Sequence, residues 1–247
     1  MKMKLLRMML ACAFCMCSPT LHAEWDPTYC LPDDNLTALE NAEFKKLKVA
    51  VAQELQNSWC SKEKIELLMD LVHVTKPQVC VDIGSCTGSS VLPVAAVLKM
   101  NRRGKVFAVD AWSNEVVTRH LDLDDPNREW WLKVDMQAVL TIFRNMVKKF
   151  GFELCCTEMQ MNSLEAAARL SQIDFLQLDG DYSEKGSVAD VEQLLPQVKK
   201  GGYILLSNLF TMVKGKAPKM KAFSMLFDSC EMICEIERDN AVLFRKK

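Results

Sequence analysis

Glycines and small hydroxyl residues crowd one turn of this chain, and carboxylates stand at or near the ends of the apolar runs around it. Val79, Val81 and Ile83 give the β-branched enrichment of a buried strand with Asp82 among them, and Gly84, Ser85, Gly88 and Ser89 follow. Ser89 or Ser90 then caps a predicted helix through Val91, Val94, Ala95 and Leu98. Such a turn admits a ligand close to the backbone and leaves the helix's first N–H groups aimed at it, an arrangement suited to a nucleotide. Taken alone, the turn is equally an ordinary connection from strand to helix. Asp110 raises its standing, because it ends the run Lys105–Asp110 at about 20 residues past the turn, where dinucleotide folds hold ribose hydroxyls. Its two oxygens can accept from two neighbouring donors. Asp179 and Asp181 follow a third run, Ile173–Leu178.

These residues need a scaffold, and the alternation of elements supplies one. A short strand is predicted at 154–158, and Asn162 and Ser163 cap a helix over 164–170. After Asp181 comes a helix with Val188, Val191, Leu194, Leu195 and Val198 on one face, then Gly201-Gly202 and a strand over 203–206. Strands alternating with helices imply a parallel sheet covered on both sides. The tail departs from that rule: strands at 231–237 and 241–245 are joined by Arg238-Asp239-Asn240, a gap that only an antiparallel hairpin bridges. Upstream, Phe44, Leu47, Val51 and Leu55 repeat at helical spacing, as do Ile65, Leu68, Met69 and Val72 after a cap at Ser61.

From about Ser61 to its C-terminus the sequence resembles the class I S-adenosylmethionine-dependent methyltransferases, and most of all the small-molecule O-methyltransferases related to those acting on catechols and sugars. The resemblance is carried by the turn from Asp82 to Ser89, by Asp110-Ala111-Trp112, by the segment from Ile173 to Glu184, and by Leu195-Pro196 leading to Lys200-Gly201-Gly202-Tyr203. It implies an α/β, Rossmann-like fold: a seven-stranded, mostly parallel sheet with helices on both faces and a C-terminal antiparallel hairpin. Residues 24–76 would form a helical cap and 77–247 the methyltransferase domain. By the same resemblance Gly84, Ser85, Gly88 and Ser89 would wrap the methionine part of S-adenosylmethionine, with Asp82 ordering its amino group. Asp110 would hold the ribose, with Ala111 beside it, Trp112 would lie against the adenine or else serve as a core aromatic, and Asn162 or Ser163 would touch the adenine's polar edge. Asp179 would face both cofactor and acceptor.

The chemistry at the acceptor departs from the family. Metal-dependent members bind a divalent cation through the acid matching Asp179 and a pair at the end of the next strand, which here is Ser207-Asn208. Asp179 and Asn208 remain as oxygen ligands for Mg²⁺, a set too small to bind it tightly. The position of a Lys or His base in several members is Tyr182. Catalysis is therefore assigned to Asp179, Asp181 and Tyr182, in a metal-independent or weakly metal-dependent methyltransferase that acts on an oxygen of a small molecule. A non-catalytic exported protein of this fold is the alternative. A dehydrogenase ranks last, because the turn lacks a middle glycine at Cys86 and the terminal hairpin belongs to the methyltransferase pattern.

Composition fits one globular unit: 247 residues, 49% hydrophobic and 26% charged, are enough to bury a full core. A formal charge of −1 indicates no nucleic-acid surface. Lys2, Lys4 and Arg7, the apolar stretch from Met8 to Cys17, and Leu21-His22-Ala23 have the layout of a signal peptide cut after Ala23, which implies export and no membrane span in the mature chain. The competing reading is an N-terminal tail on a cytosolic protein. Of eleven cysteines eight lie beyond residue 23, of which Cys30 and Cys60 are the pair to test for a disulfide. The three histidines, His22, His73 and His120, are scattered. Trp130 and Trp131 sit in a long stretch after the second strand and are candidates for an acceptor pocket, while Lys214, Lys216, Lys219 and Lys221 read as a solvated loop face or a basic lid. The oligomeric state is left open.

Overall fold

The computed structural model describes Leu31, residues 33–213 and residues 215–247. The leader, Cys30 and Lys214 lie outside the described residues. Seven strands form one sheet: β1 Val79–Ile83, β2 Lys105–Asp110, β3 Cys156–Gln160, β4 Ile173–Leu178, β5 Val198–Leu206, β6 Cys230–Ile236 and β7 Ala241–Lys246. Their spatial order is β3-β2-β1-β4-β5-β7-β6. The first five are parallel, and β7 runs antiparallel to both β5 and β6. The seven-stranded, mostly parallel sheet with a terminal hairpin is thus the fold of this chain.

Strand alternation sorts the core into two faces. Cys80, Phe175, Leu205 and Leu243 join one apolar cluster, while their neighbours Val81, Leu176, Ile204 and Val242 join the other. The first cluster takes in α1 (Ala42–Glu54), α2 (Lys62–Thr75) and α3 (Val91–Asn101), together with α6 (Met136–Phe150). Between α3 and α6, beyond β2, lie α4 (Asn114–Thr118) and α5 (Pro126–Lys133). The second cluster takes in α7 (Ser163–Ala167), α8 (Glu184–Leu194) and α9 (Met220–Ser229). Among the described residues no helix is long and apolar enough to cross a membrane.

Local chemistry sets the element ends. Ser61 caps α2 by accepting from the Lys64 N–H at 3.1 Å, as its spacing predicts. Asn162 caps α7 in a reciprocal box with Glu165. Ser90, by contrast, makes no side-chain cap to α3; its hydroxyl bonds Asp82 instead. The third strand starts two residues later than predicted, because the Cys155 and Cys156 N–H groups both turn back to the Phe152 carbonyl and leave Leu154 90% exposed. The helix after Asp181 stops at Leu194, where Pro196 forces a short 3₁₀ turn, and Val198 opens β5 rather than extending the helix face.

Candidate functional site

The chain leaves β1 toward β2 and β3 on one side of the sheet and returns through β4 and β5 on the other, so β1 and β4 flank the switch point where open α/β sheets hold ligands. The carboxyl ends of the strands are tied together there: Gly84 N–H donates to the Val109 carbonyl at 2.9 Å, Asp179 N–H to that of Ile83 at 3.0 Å, and Ser207 N–H to that of Leu178 at 3.1 Å. Gly84 has φ +86°, and a Cβ there would come within 2.7 Å of the Asp179 carbonyl oxygen, so the β1 and β4 turns can meet this closely only with glycine.

Above these ends opens a cleft of about 870 Å³, counted to its open mouth. Gly84, Asp110, Ala111, Trp112, Asn162, Ser163, Asp179, Asp181 and Tyr182 all line it. Asp82, Ser85, Gly88, Ser89 and Asn208 do not. Asp82 is buried behind the turn, accepting from Ser85 Oγ at 2.9 Å and from Ser90. Burial pushes its carboxyl up to about 6, against the pull of those hydroxyls and of Lys64. A Cβ on Gly88 would meet the end of Met146 and come within 3.1 Å of Phe143, so a glycine here admits the close approach of α6.

Asp110 is half-buried at the end of β2. The Trp112 N–H donates to its Oδ1 at 2.7 Å and the Cys86 N–H to its Oδ2 at 3.0 Å. Each oxygen keeps acceptor capacity, so the carboxylate is held rigidly with room for two further donors. Burial raises its pKa, opposed by those two N–H bonds. Trp112 and Cys86 both carry positive φ, 44° and 47°, and are locked to each other by Trp112 Nε1 donating to the Cys86 carbonyl at 2.9 Å. A bulky residue with such a φ is uncommon and clusters at ligand sites. Trp112 is only 2% exposed and packs 5.2 Å from Phe143, as a core aromatic does, and it also lines the cleft.

On the opposite side the acidic residues acquire partners that sequence reasoning missed. His120 Nδ1 lies 3.0 Å from Asp181 Oδ2, and Asp181 Oδ1 accepts from Ser183 N–H and Oγ. Asp190, buried in α8, accepts from Ser163, and burial pushes it up to about 6. Tyr182 lines the cleft, and burial followed by the nearby Asp179 charge raises its phenol further above the ordinary value, so the phenol stays neutral. Asp179 Oδ1 accepts from Asn208 Nδ2, Lys64 Nζ stands 3.6 Å from Oδ2, and Lys219 Nζ stands 3.8 Å from Oδ1. Lys219 is 2% exposed and so belongs to neither a solvated face nor a lid; Lys216 and Lys221 are exposed. Burial pulls the Lys219 pKa down, against Asp179, Asp190 and Asp181.

The mouth of the cleft is aromatic. Trp131, 9% exposed, lines it with Tyr182 at 6.1 Å and with the exposed Trp59; Trp130 packs edge-on to Trp131 at 4.6 Å from outside. The site is therefore a carboxylate-anchored, partly apolar cleft that continues into an aromatic vestibule beside a histidine–carboxylate pair.

A family model described as a methyltransferase domain matches residues 81–209. No curated protein sequence matches the chain. Solved structures do: the O-methyltransferase from Bacillus cereus in complex with SAH, at 15% identity over 90% of this chain and 94% of that one, with a TM-score of 0.57. SAH-bound methyltransferase PaMTH1 from Podospora anserina matches at 15% identity over 88% and 98%, TM-score 0.57. A methyltransferase from Geobacter sulfurreducens matches at 16% identity over 92% and 99%, TM-score 0.53. At these identities the structural likeness establishes the fold.

Proposed function

We propose that this chain, which belongs to the methyltransferase-domain family, transfers the methyl group of S-adenosylmethionine to an oxygen of a small molecule. The observation that carries the reading is Asp110: a half-buried carboxylate at the end of β2, fixed by two backbone N–H groups and lining the cleft with unused acceptor capacity, fits a ribose diol. The apolar walls from Trp112, Val139 and Met161 fit a purine, and Asn162 and Ser163 stand at the same wall. The donor set and the cleft thus suit the cofactor. When bound, it supplies an electrophilic methyl on a positively charged sulfur that is already a good leaving group.

What remains for the chain is alignment and one proton. The vestibule of Trp59, Trp131 and Tyr182 would hold an acceptor over the cleft, and holding the reactants in line provides much of the rate in such a displacement. The proton of the acceptor hydroxyl would pass to the His120–Asp181 pair, whose carboxylate lines the cleft and holds the ring at Nδ1. The neutral Tyr182 phenol serves as a wall and hydrogen-bond partner rather than a base.

The test uses methyl-labelled S-adenosylmethionine and the full chain with a panel of hydroxylated small molecules, nucleic acid and protein. Label in the small-molecule fraction, in an ether or ester, is the expected result. Label recovered only in nucleic acid or protein would overturn the reading of the acceptor.

A further inference from the structure

We infer that Lys64 and Lys219 are the resident cations of this site and that their side chains exclude the divalent metal. The inference rests on the proposed function only in taking the cleft as the place of transfer. The oxygens a Mg²⁺ ion would need here are those of Asp179, Ser207 and Asn208, and each is already engaged by an N–H group or turned away. Lys64 Nζ donates to Ser207 Oγ at 3.1 Å and lies 3.6 Å from Asp179 Oδ2. Lys219 Nζ donates to the Ser207 carbonyl at 3.0 Å and lies 3.8 Å from Asp179 Oδ1. Asn208, held at φ 58°, presents its amide nitrogen rather than its oxygen to Asp179. A magnesium ion takes oxygen ligands at about 2.0–2.1 Å in an octahedron. To enter, it would have to displace both lysines from Ser207, rotate Asn208, and tolerate two ammonium groups within a few ångström in a poorly solvated setting. The donor set does not fit the metal.

Both lysines are placed by the fold rather than by chance. Lys64 is 3% exposed and projects from the first turn of α2, whose cap at Ser61 fixes it. Lys219 is 2% exposed, immediately precedes α9, and lies 5.2 Å from the centre of the Tyr182 ring. Buried ammonium groups persist only when paired and hydrogen-bonded, and here each is both. Two monovalent charges from distant parts of the chain thus supply what one dication supplies elsewhere: they hold Asp179 in place and balance its charge. They act through Asp179 and Ser207 and are positioning residues.

The experiment is a titration of the full chain with Mn²⁺ followed by electron paramagnetic resonance, with and without S-adenosylhomocysteine, alongside calorimetry of S-adenosylhomocysteine in EDTA and in excess Mg²⁺. The wild-type chain is expected to leave the Mn²⁺ signal that of the free ion, and to bind S-adenosylhomocysteine with the same affinity in both buffers. Lys64→Met combined with Ser207→Asp removes one ammonium and restores one carboxylate; it is expected to bind Mn²⁺ at least tenfold more tightly than Ser207→Asp alone. Mn²⁺ binding by the wild-type chain that disappears in Asp179→Asn would overturn the inference. So would equal Mn²⁺ affinity of the single and double variants, which would show that Lys64 is not what keeps the metal out. Failure to bind S-adenosylhomocysteine in either buffer would count against the proposed function and leave the metal result to be read separately.

Discussion

At the scale of single residues the site divides its acids by their neighbours. Asp110 faces backbone N–H groups, Asp179 faces lysines and Asn208, and Asp181 faces serine and histidine. On the proposed reading, three chemically identical side chains thereby take three roles: ribose holder, charge-balanced anchor, and orienter of a base. If His120 takes the acceptor's proton, Asp181→Asn lowers turnover by roughly 10²-fold or more while S-adenosylmethionine affinity holds, since losing a positioned base typically costs 10²–10⁴. Tyr182→Phe is expected to change turnover by less than about tenfold, because a neutral phenol has no proton-accepting part to lose. Kinetics on any acceptor that the wild-type chain methylates separate the two; a larger loss in Tyr182→Phe than in Asp181→Asn would reverse the assignment. Asp110 was legible in the sequence because its spacing from the Gly-rich turn is a local property. His120 was not, since it reaches Asp181 across 61 positions, and no periodicity records such a contact. Lys64 left a faint signal: it falls on α2 next to Ile65 and three and four places before Leu67 and Leu68, a charge on a helix that is otherwise buried on nearly every side.

At the scale of elements, glycines decide how closely the parts approach. Gly88→Ala would place a methyl against Met146 and Phe143 at φ +94°, so both packing and backbone resist it. A loss of about 1–3 kcal/mol in unfolding free energy is expected from overpacking and the disfavoured φ, read as a lower denaturation midpoint at constant slope. Gly186→Ala is more discriminating. Within α8 alanine is the better helix former by about 1 kcal/mol, yet its methyl would fall on the Asp181 carboxylate. A side-chain end can move, so stability stays within about 1 kcal/mol of wild type while the Asp181–His120 contact is lost and turnover falls. A variant that unfolds, or that retains full turnover, would show that Asp181 is held differently. The strands themselves were readable from β-branched runs and their terminal acids. The helix ends were less so: Ser90 spends its hydroxyl on buried Asp82, and a tertiary demand of that kind overrides a local capping preference.

At the scale of the whole molecule, the order β3-β2-β1-β4-β5-β7-β6 concentrates buried charge along one edge of the sheet, and that charge carries a pH signature. Burial raises Asp82 and Asp190 to about 6, so the folded state holds their protons through an interval in which the unfolded chain has released them. Stability contributed this way is present below the unfolded carboxylate value and declines as pH rises through about 4 to 6. Asp174 runs the other way: burial would raise it, but bonds from Lys199, Val79 and Gln78 leave it lowered, and its contribution is lost only as pH falls through its folded value. Asp82→Asn removes one of the raised acids, so its stability relative to wild type is expected to improve between pH of about 4 and 6 by on the order of 2 kcal/mol. Thermal midpoints across that range check it, and a difference independent of pH would refute the buried-acid account. Asp174 sits at the amino ends of the strands, whereas the cleft opens at their carboxyl ends, where Asp110 is proposed to hold a ribose. Calorimetric titration of S-adenosylmethionine into the wild-type chain and into Asp110→Ala tests that role most directly. Binding by the wild-type chain is expected, with a loss of about 1–3 kcal/mol, roughly five- to 150-fold, in the variant. Equal affinity in the two proteins, or no binding to the folded wild-type chain, would contradict it.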